Sequence, residues 1–404
     1  MILRLQNRYL KERKFVQYSN TKTFQLTISQ QDIYFDQQHN NDSPLYNIGG
    51  ILRLKSANLA AIQAAHKDLV IGHDAFGIRI TELEGLPVQY LSNSRTLDLP
   101  LIDFSAESDP HQASQVWLES LFETPLEFQE AELFRAYLLK ISTENYLYVG
   151  LAHHLMADGW GFANWAQYVV DHIHQDNPSS ASQTWPEVVK NDLAFRKSKR
   201  YQNAHEFWKL KLKEEFPPLF SAVYDVDNGS RSRRHIKKLP IALCRAINQF
   251  SVEHKLSLNQ VFMAIWAGYL ARSSQKNSFL LGLPVHNRST REDKHTIGVF
   301  TSVTPLAIAV DESLSLIGLA QYLTRQVKQS FRFQRFPVQE LRRFTGANHR
   351  LFDAGFNFLD LGAVFGAVKH KPDMTYLSHN HSKTPLMLTV WSANADEAPE
   401  LQLD

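Results

Sequence analysis

The residues of this chain best placed to do chemistry lie in one run of seven: His153-His154-Leu155-Met156-Ala157-Asp158-Gly159. A chain of this length and ordinary composition would contain two histidines, three spacers and Asp-Gly by accident on the order of one time in a thousand. An imidazole with an ordinary pKa of about 6.5 can be neutral at cell pH and take or orient a proton. A carboxylate four residues on can fix its surroundings. A glycine N–H at the start of a following helix lacks an intrahelical partner and favours a developing negative charge. Acyl transfer needs this set: a base near the nucleophile and a donor near the oxyanion. The chain has no Gly-x-Ser-x-Gly, and its lone cysteine, Cys244, falls in an apolar helical pattern that marks a core residue. A covalent acyl-enzyme is therefore not indicated, and direct attack of one bound group on a bound thioester or ester is the simpler chemistry. Two rival readings stand beside it. His153, His154 and Asp158 could hold zinc, although the helical His-Glu-x-x-His spacing is absent. Both histidines could also be satisfied core residues, the reading that suits His66, His73, His172, His174 and His205.

The elements around the run place it on a turn. Leu133–Ile141 and Tyr146–Ala152 are apolar, β-prone runs separated by Ser-Thr-Glu-Asn, a hairpin signal, and the second ends at His153. Phe162, Trp165, Val169, Val170 and Ile173 then recur at helical spacing. Trp160, Phe162 and Trp165 read as helix packing. Upstream, a helix is expected from Thr27 to Gln38, a strand at Ile51–Leu54, and helices over 59–70 and 110–123. Residues 175–186 (Gln-Asp-Asn-Pro-Ser-Ser-Ala-Ser-Gln-Thr-Trp-Pro) are rich in breakers and read as a linker. The second half repeats the alternation: helices at 240–254, 257–273 and 314–330, strands at 278–285, 303–309, 354–359 and 385–391. The expected class is α/β with two lobes. The expected divisions are a basic tail over 1–23, a lobe over 24–180 carrying the motif, and a lobe over 181–404.

Composition narrows the setting. The chain has 404 residues, 44% hydrophobic, with 43 Lys and Arg against 41 Asp and Glu. No global field favours nucleic acid or an anionic membrane. The one basic cluster, Arg4, Arg8, Lys11, Arg13 and Lys14, lacks the apolar stretch of a secretory signal and reads as a solvated tail, with docking to a partner as the minor reading. No run approaches the roughly 18 apolar residues of a membrane span. One cysteine rules out an internal disulfide and fits a reducing cytoplasm.

The motif resembles the core of nonribosomal peptide synthetase condensation domains. Shorter forms occur in chloramphenicol acetyltransferase, and the full form in wax-ester synthases. Other segments favour the first. Leu26-Thr27-Ile28-Ser29-Gln30-Gln31-Asp32-Ile33-Tyr34-Phe35 resembles the family's first motif, and Tyr46-Asn47 the pair that follows it. His205-Glu206-Phe207-Trp208, Gly282 to Arg288, Ile297-Gly298-Val299-Phe300, Thr304-Pro305-Leu306 and Gln334…Pro337…Leu341 follow in the family's order.

The resemblance implies two chloramphenicol-acetyltransferase-like lobes in a V-shaped pseudo-dimer, with the active site at their junction. It implies peptide-bond formation between groups held as thioesters on the phosphopantetheine arms of donor and acceptor carrier proteins, or with acyl-CoA as donor. It implies no cofactor bound by the domain and no metal, and adenylation and carrier domains downstream. His154 takes the family's functional histidine position. His153, Asp158, Gly159 and Arg288 are supporting residues, with Asp158 and Arg288 as an ion pair. Three positions depart from the pattern: Gly77 stands where arginine is usual, Ser302 where asparagine is, and Phe333 where histidine is. With Gly77 lacking a charge, Asp158 is expected to depend on Arg288, or on Arg79 as a substitute. The C-terminal lobe reads as short of its final strand and helix, and the early first motif suits a chain-starting domain. The alternatives are a CoA-dependent acyltransferase acting on a small alcohol or amine, and a recruitment platform of the same fold. Intact histidines disfavour a cyclisation relative; Gly159-Trp160-Gly161 disfavours an epimerisation one.

Overall fold

A computed structural model describes residues 17–18, 21–55, 58–176, 182–214, 216–220, 231–311, 313–345, 350–360, 368–392 and 399–404. It divides into two compact units. The first comprises Met1–Ala194, Arg288–Phe300 and Ala367–His379; the second comprises Phe195–Asn287, Thr301–Gly366 and Asn380–Asp404. The first unit thus runs past the 180/181 division expected from sequence and takes in two later segments.

In the first unit, a five-stranded sheet runs in the order Met374–Tyr376, Asn47–Lys55, Asn145–His153, Phe134–Lys140, Leu101–Asp103. The expected hairpin is its centre, with Phe134 opposite Ala152. Within Asn145–His153, the run Tyr148–Ala152 is apolar and buried because both faces of the strand are covered there. Tyr148 and Ala152 point into a core shared with Ile62, Leu69, Trp165 and Val169. Val149 and Leu151 point the other way, into a second core with Leu118 and Phe122. This is the period-two alternation of a strand with two buried sides. The helix Leu59–Gly72 packs beside Gly159–Ile173. A second, four-stranded sheet pairs Gln17–Tyr18, Thr21–Gln25, Leu86–Leu91 and Ile78–Leu83 in that order. Part of the expected tail is therefore strand; residues 1–16 lie outside the described residues.

The second unit is built on a mixed six-stranded sheet: Ser302–Ala309, Ser278–Val285, Ala354–Asp360, Leu386–Ser392, Glu400–Leu403, His235–Lys238. Leu258–Ser274 and Leu316–Phe331 pack together, their Ala267, Leu270, Leu319 and Leu323 in one core with Phe279 and Phe356. A Ser257–Gln260 capping box starts the first of these helices.

The expected linker differs. Residues 177–181 lie outside the described residues, but Trp185 opens the helix Trp185–Arg196 and is buried. Pro186 occupies the first turn, where proline costs no hydrogen bond, so the Trp-Pro pair starts a helix rather than breaking one.

Candidate active site

His153 ends its strand, and Asp158 caps the next helix with its side chain, accepting from the Gly161 N–H at 2.7 Å. The motif is the turn between, as expected, and the first unit holds every residue described here. The His153 N–H donates to the Leu133 carbonyl and the His154 N–H to the Tyr46 carbonyl, each at 2.8 Å, so both backbones are fixed.

The two histidines have different surroundings. His153 is 1% exposed and stacks on Phe128 with ring centroids 5.4 Å apart. Its Nδ1 accepts from the Leu155 N–H at 3.2 Å, so that nitrogen carries no proton. Burial, with a smaller repulsion from His154, pushes its pKa down to about 3. It is a neutral wedge. His154 is only part-buried, edge-on to Tyr46 at 6.2 Å. Its Nδ1 is enclosed and has no hydrogen-bond partner among the described residues. Burial lowers its pKa, opposed by the negative charge of Asp158 and by the backbone of His154 and Ala157. Both rings are therefore neutral at pH 7, and only His154 retains access.

Asp158 faces inward. Its Oδ1 accepts from Arg288 Nη2 at 2.8 Å as well as from Gly161, and its Oδ2 accepts from the Phe300 N–H at 2.9 Å. Arg288 also donates to the carbonyls of Gly298 at 2.9 Å and Thr296 at 2.7 Å, and to that of Asp293, and lies over the Phe300 ring. The expected ion pair is present and fully buried. It joins the turn to the segment Arg288–Phe300. Arg79 does not substitute. It pairs with Glu132 at 2.9 Å and donates to the Ser94 carbonyl, away from Asp158. The space above Gly77 is filled by another arginine: a Cβ there would come 2.7 Å from Arg95 Nη2. Arg95 spans the carbonyls of Val70, Ile71 and His73 at the end of the helix Leu59–Gly72.

Gly159 is exposed, and a Cβ there would meet nothing nearer than Tyr376 Cε1 at 4.0 Å. Close backbone approach within the unit occurs instead at Gly161, where a Cβ would lie 2.8 Å from the Gly298 carbonyl oxygen. The Gly159 N–H has no acceptor among the described residues, as the first turn of a helix allows.

Three supporting residues, Gln89, Trp185 and Tyr376, escaped the sequence reading as part of the site, and Gln30 and Trp160, which it named, take further roles. Gln89 exchanges hydrogen bonds with Gln30 at 2.8 and 2.9 Å, and Gln30 donates to the Leu155 carbonyl at 3.1 Å, beneath the motif. Trp185 Nε1 donates to Gln89 at 2.7 Å. Trp160 Nε1 donates to the Lys294 carbonyl at 2.8 Å, so this residue anchors the Arg288–Phe300 segment as well as packing. The Tyr376 hydroxyl donates to the Gly159 carbonyl at 2.8 Å. Only Gln30 carried a signal, through the Thr27-x-x-Gln30 capping box. Among the described residues no group of three or more His, Cys, Asp and Glu could hold a metal ion, and no helix is long and apolar enough to cross a membrane.

The condensation-domain model matches residues 20–393. The chain belongs to the condensation-domain family. It is 26% identical over 375 residues to a dimodular nonribosomal peptide synthase of Bacillus subtilis (strain 168), covering 90% of this chain and 16% of that protein. With surfactin synthase subunit 1 of the same organism it shares 24% identity over 83% of this chain and 10% of that one. The chain thus spans under a fifth of the length of these relatives. Among solved structures, a variant of the starter condensation domain of rhizomide synthetase in complex with C8-CoA superposes with a TM-score of 0.83 at 23% identity, covering 95% of this chain and 89% of that one. The first condensation domain of the calcium-dependent antibiotic synthetase, in complex with a substrate analogue, gives 0.80 at 19%, covering 94% and 90%. The two helix-and-sheet units are those of the chloramphenicol-acetyltransferase-like condensation-domain fold.

Proposed function

We propose that this condensation domain forms an amide bond: the amine of a carrier-bound aminoacyl group attacks a donor acyl or peptidyl thioester at His154. The observation that carries this reading is the state of His154, a neutral, part-buried imidazole whose Nδ1 is enclosed and without a partner among the described residues. In the reaction a C–N bond forms and the C–S bond breaks. The amine gives up one proton, and the leaving thiolate ends as a thiol. Neutral His154 would accept the N–H of the attacking amine and orient its lone pair. The unpaired Gly159 N–H stands at the positive end of a helix, where a developing oxyanion is favoured.

The demand on His154 is modest. Thioesters are activated, and an α-amine with a pKa of about 7.7–8 is partly nucleophilic already. Holding two arms end to end supplies up to roughly 7–11 kcal/mol through effective molarity. His153, Asp158 and Arg288 then act by holding the turn, and Gly159 through its N–H. The partners in this reading are donor and acceptor carrier proteins, with adenylation and carrier domains elsewhere in the assembly, in the cytoplasm. An acyl-CoA donor and a chain-starting role are supported by the fold shared with a starter domain solved with C8-CoA.

The test supplies an acyl-CoA or an acyl-carrier donor with an aminoacyl-carrier acceptor and identifies the product by mass. An amide from either donor is expected. No amide from any donor, with transfer to a small alcohol instead, would favour the CoA-dependent acyltransferase; no product at all would leave a recruitment domain.

A further inference from the structure

The segment that ends at His379 belongs to the first unit, and its Tyr376 meets Gly159 of the motif. Its strand Met374–Tyr376 adds to the edge of the five-stranded sheet, with Thr375 opposite Ile51 and Tyr376 opposite Gly50. Both ends are tied down. The Arg53 N–H donates to the Asp373 carbonyl at 2.8 Å, the Leu377 N–H to the Gly49 carbonyl at 3.0 Å, and the His379 ring bonds the Asn47 carbonyl at 3.1 Å. Asn47 is the register partner of His153. The chain makes room for this strand: a Cβ on Gly50 would lie 2.4 Å from the Thr375 carbonyl oxygen. Side chains alternate along a strand. Thr375 faces outward, bonded to Arg53 at 2.8 Å. Met374 and Tyr376 face inward onto the main core.

Tyr376 sits against the start of the helix Gly159–Ile173. Its ring lies 5.9 Å from that of Phe162, and its hydroxyl donates to the Gly159 carbonyl. That carbonyl belongs to the peptide that follows Gly159, one link from the N–H facing the proposed oxyanion. Burial and the nearby Asp158 charge raise the Tyr376 pKa, so the hydroxyl stays a donor across the working pH range.

We infer that Tyr376 is a positioning residue: through its bond to the Gly159 carbonyl it fixes the first turn of the helix, and with it the Gly159 N–H and the His154 turn. This inference rests on the amide-forming reading for its catalytic consequence, and on geometry alone for its structural one. Tyr376 does not touch the reacting atoms in this account; it sets the orientation of groups that do.

The test uses the full chain and Tyr376→Phe, which keeps the ring and removes the hydroxyl. Hydrogen exchange is measured on the peptide spanning the turn and first helical turn, 154–163. Loss of one neutral hydrogen bond predicts exchange about three- to tenfold faster there. Exchange in the strand Phe134–Lys140 should be unchanged. Thr375→Val, on the outer face of the same strand, is the control and should leave the 154–163 peptide at its original rate. In the amide assay, kcat should fall by a similar factor with KM for donor and acceptor unaltered, a split that a general loosening of the fold would not give. Unchanged exchange at 154–163 overturns the inference whatever the activity. Faster exchange with kcat untouched overturns the catalytic part. Absence of amide from the unaltered protein would count against the proposed function, while the exchange result would still decide the role of Tyr376.

Discussion

The buried pair of Asp158 and Arg288 offers the sharpest test of what holds the motif. Asp158 is 1% exposed and Arg288 2%. Asp158→Asn keeps one oxygen, which can go on accepting from Gly161 and Arg288. The amide nitrogen then faces the Phe300 N–H, donor against donor, and the Arg288 charge is left buried without its counter-ion. Breaking a buried pair from one side costs about 3–5 kcal/mol. Arg288 keeps its bonds to the carbonyls of Thr296, Gly298 and Asp293, so the lower end, about 3 kcal/mol, is the expectation here. At roughly 2–4 °C per kcal/mol for a unit of this size, the melting temperature should fall by roughly 6–12 °C. Arg288→Met, which leaves the carboxylate buried, should cost at least as much. The double variant removes both charges and should cost less than the sum of the singles, by 1 kcal/mol or more. The assay is a double-mutant cycle on urea midpoints of the full chain, with melting curves alongside. Additive singles, or a loss below about 1 kcal/mol for Asp158→Asn, would refute the claim that this pair holds the turn.

Acid should destabilise the first unit. His66 and His153 are neutral in the fold, with pKa values pushed down by burial to about 4 and about 3, while the unfolded chain binds their protons near 6.5. Their contribution is complete above about pH 6.5 and is lost as pH falls towards the folded values, with about 3 kcal/mol at stake for His66; a stability profile flat from pH 7 to 4 contradicts this. His154→Ala should lower amide formation by about 10²–10⁴-fold without abolishing it, the usual worth of one proton-handling group; full activity in a carrier-loaded assay removes the assigned role. Gly161→Ala should disturb folding, because its Cβ would strike the Gly298 backbone, whereas Gly159→Ala, whose methyl would meet only Tyr376 at 4.0 Å, should fold normally and lose turnover if its N–H serves the proposed oxyanion. Equal melting temperatures for these two variants would contradict that contrast.

What could be read from sequence divides along a physical line. The motif turn was legible because its neighbours are periodic: an apolar strand ending at His153 and a helical stripe from Phe162 to Ile173 leave no other place for it. The Asp158–Arg288 pair followed from family order. The arrangement around Gly77 did not. The sequence shows a missing arginine but not that Arg95, eighteen positions on, brings a guanidinium into that space, nor that Arg79 is already engaged by Glu132. Gln89 and Trp185 were equally silent. A polar residue on a short strand and a tryptophan beside a proline carry no pattern; their meaning lies in a buried network assembled from three separate stretches of chain. Tyr376 was hidden for the same reason, since an edge strand of three residues from the far end of the chain has no period to detect.

These long-range contacts explain how one histidine of an adjacent pair can differ from the other. Side chains of successive residues in a strand point to opposite faces, so His153 and His154 must part company where the strand ends. His153 turns into the core, where Phe128 and the Leu155 N–H hold it neutral and mute. His154 is less enclosed, part-buried, with its Nδ1 unpartnered among the described residues. Asp158 lies close enough to raise the pKa of His154, yet both its oxygens are already committed to Arg288, Gly161 and Phe300. It can therefore temper the burial of the imidazole without taking its proton. An imidazole that stays neutral, next to a carboxylate that cannot relax towards it, suits the proposed reaction, in which an amine needs orienting more than it needs deprotonating.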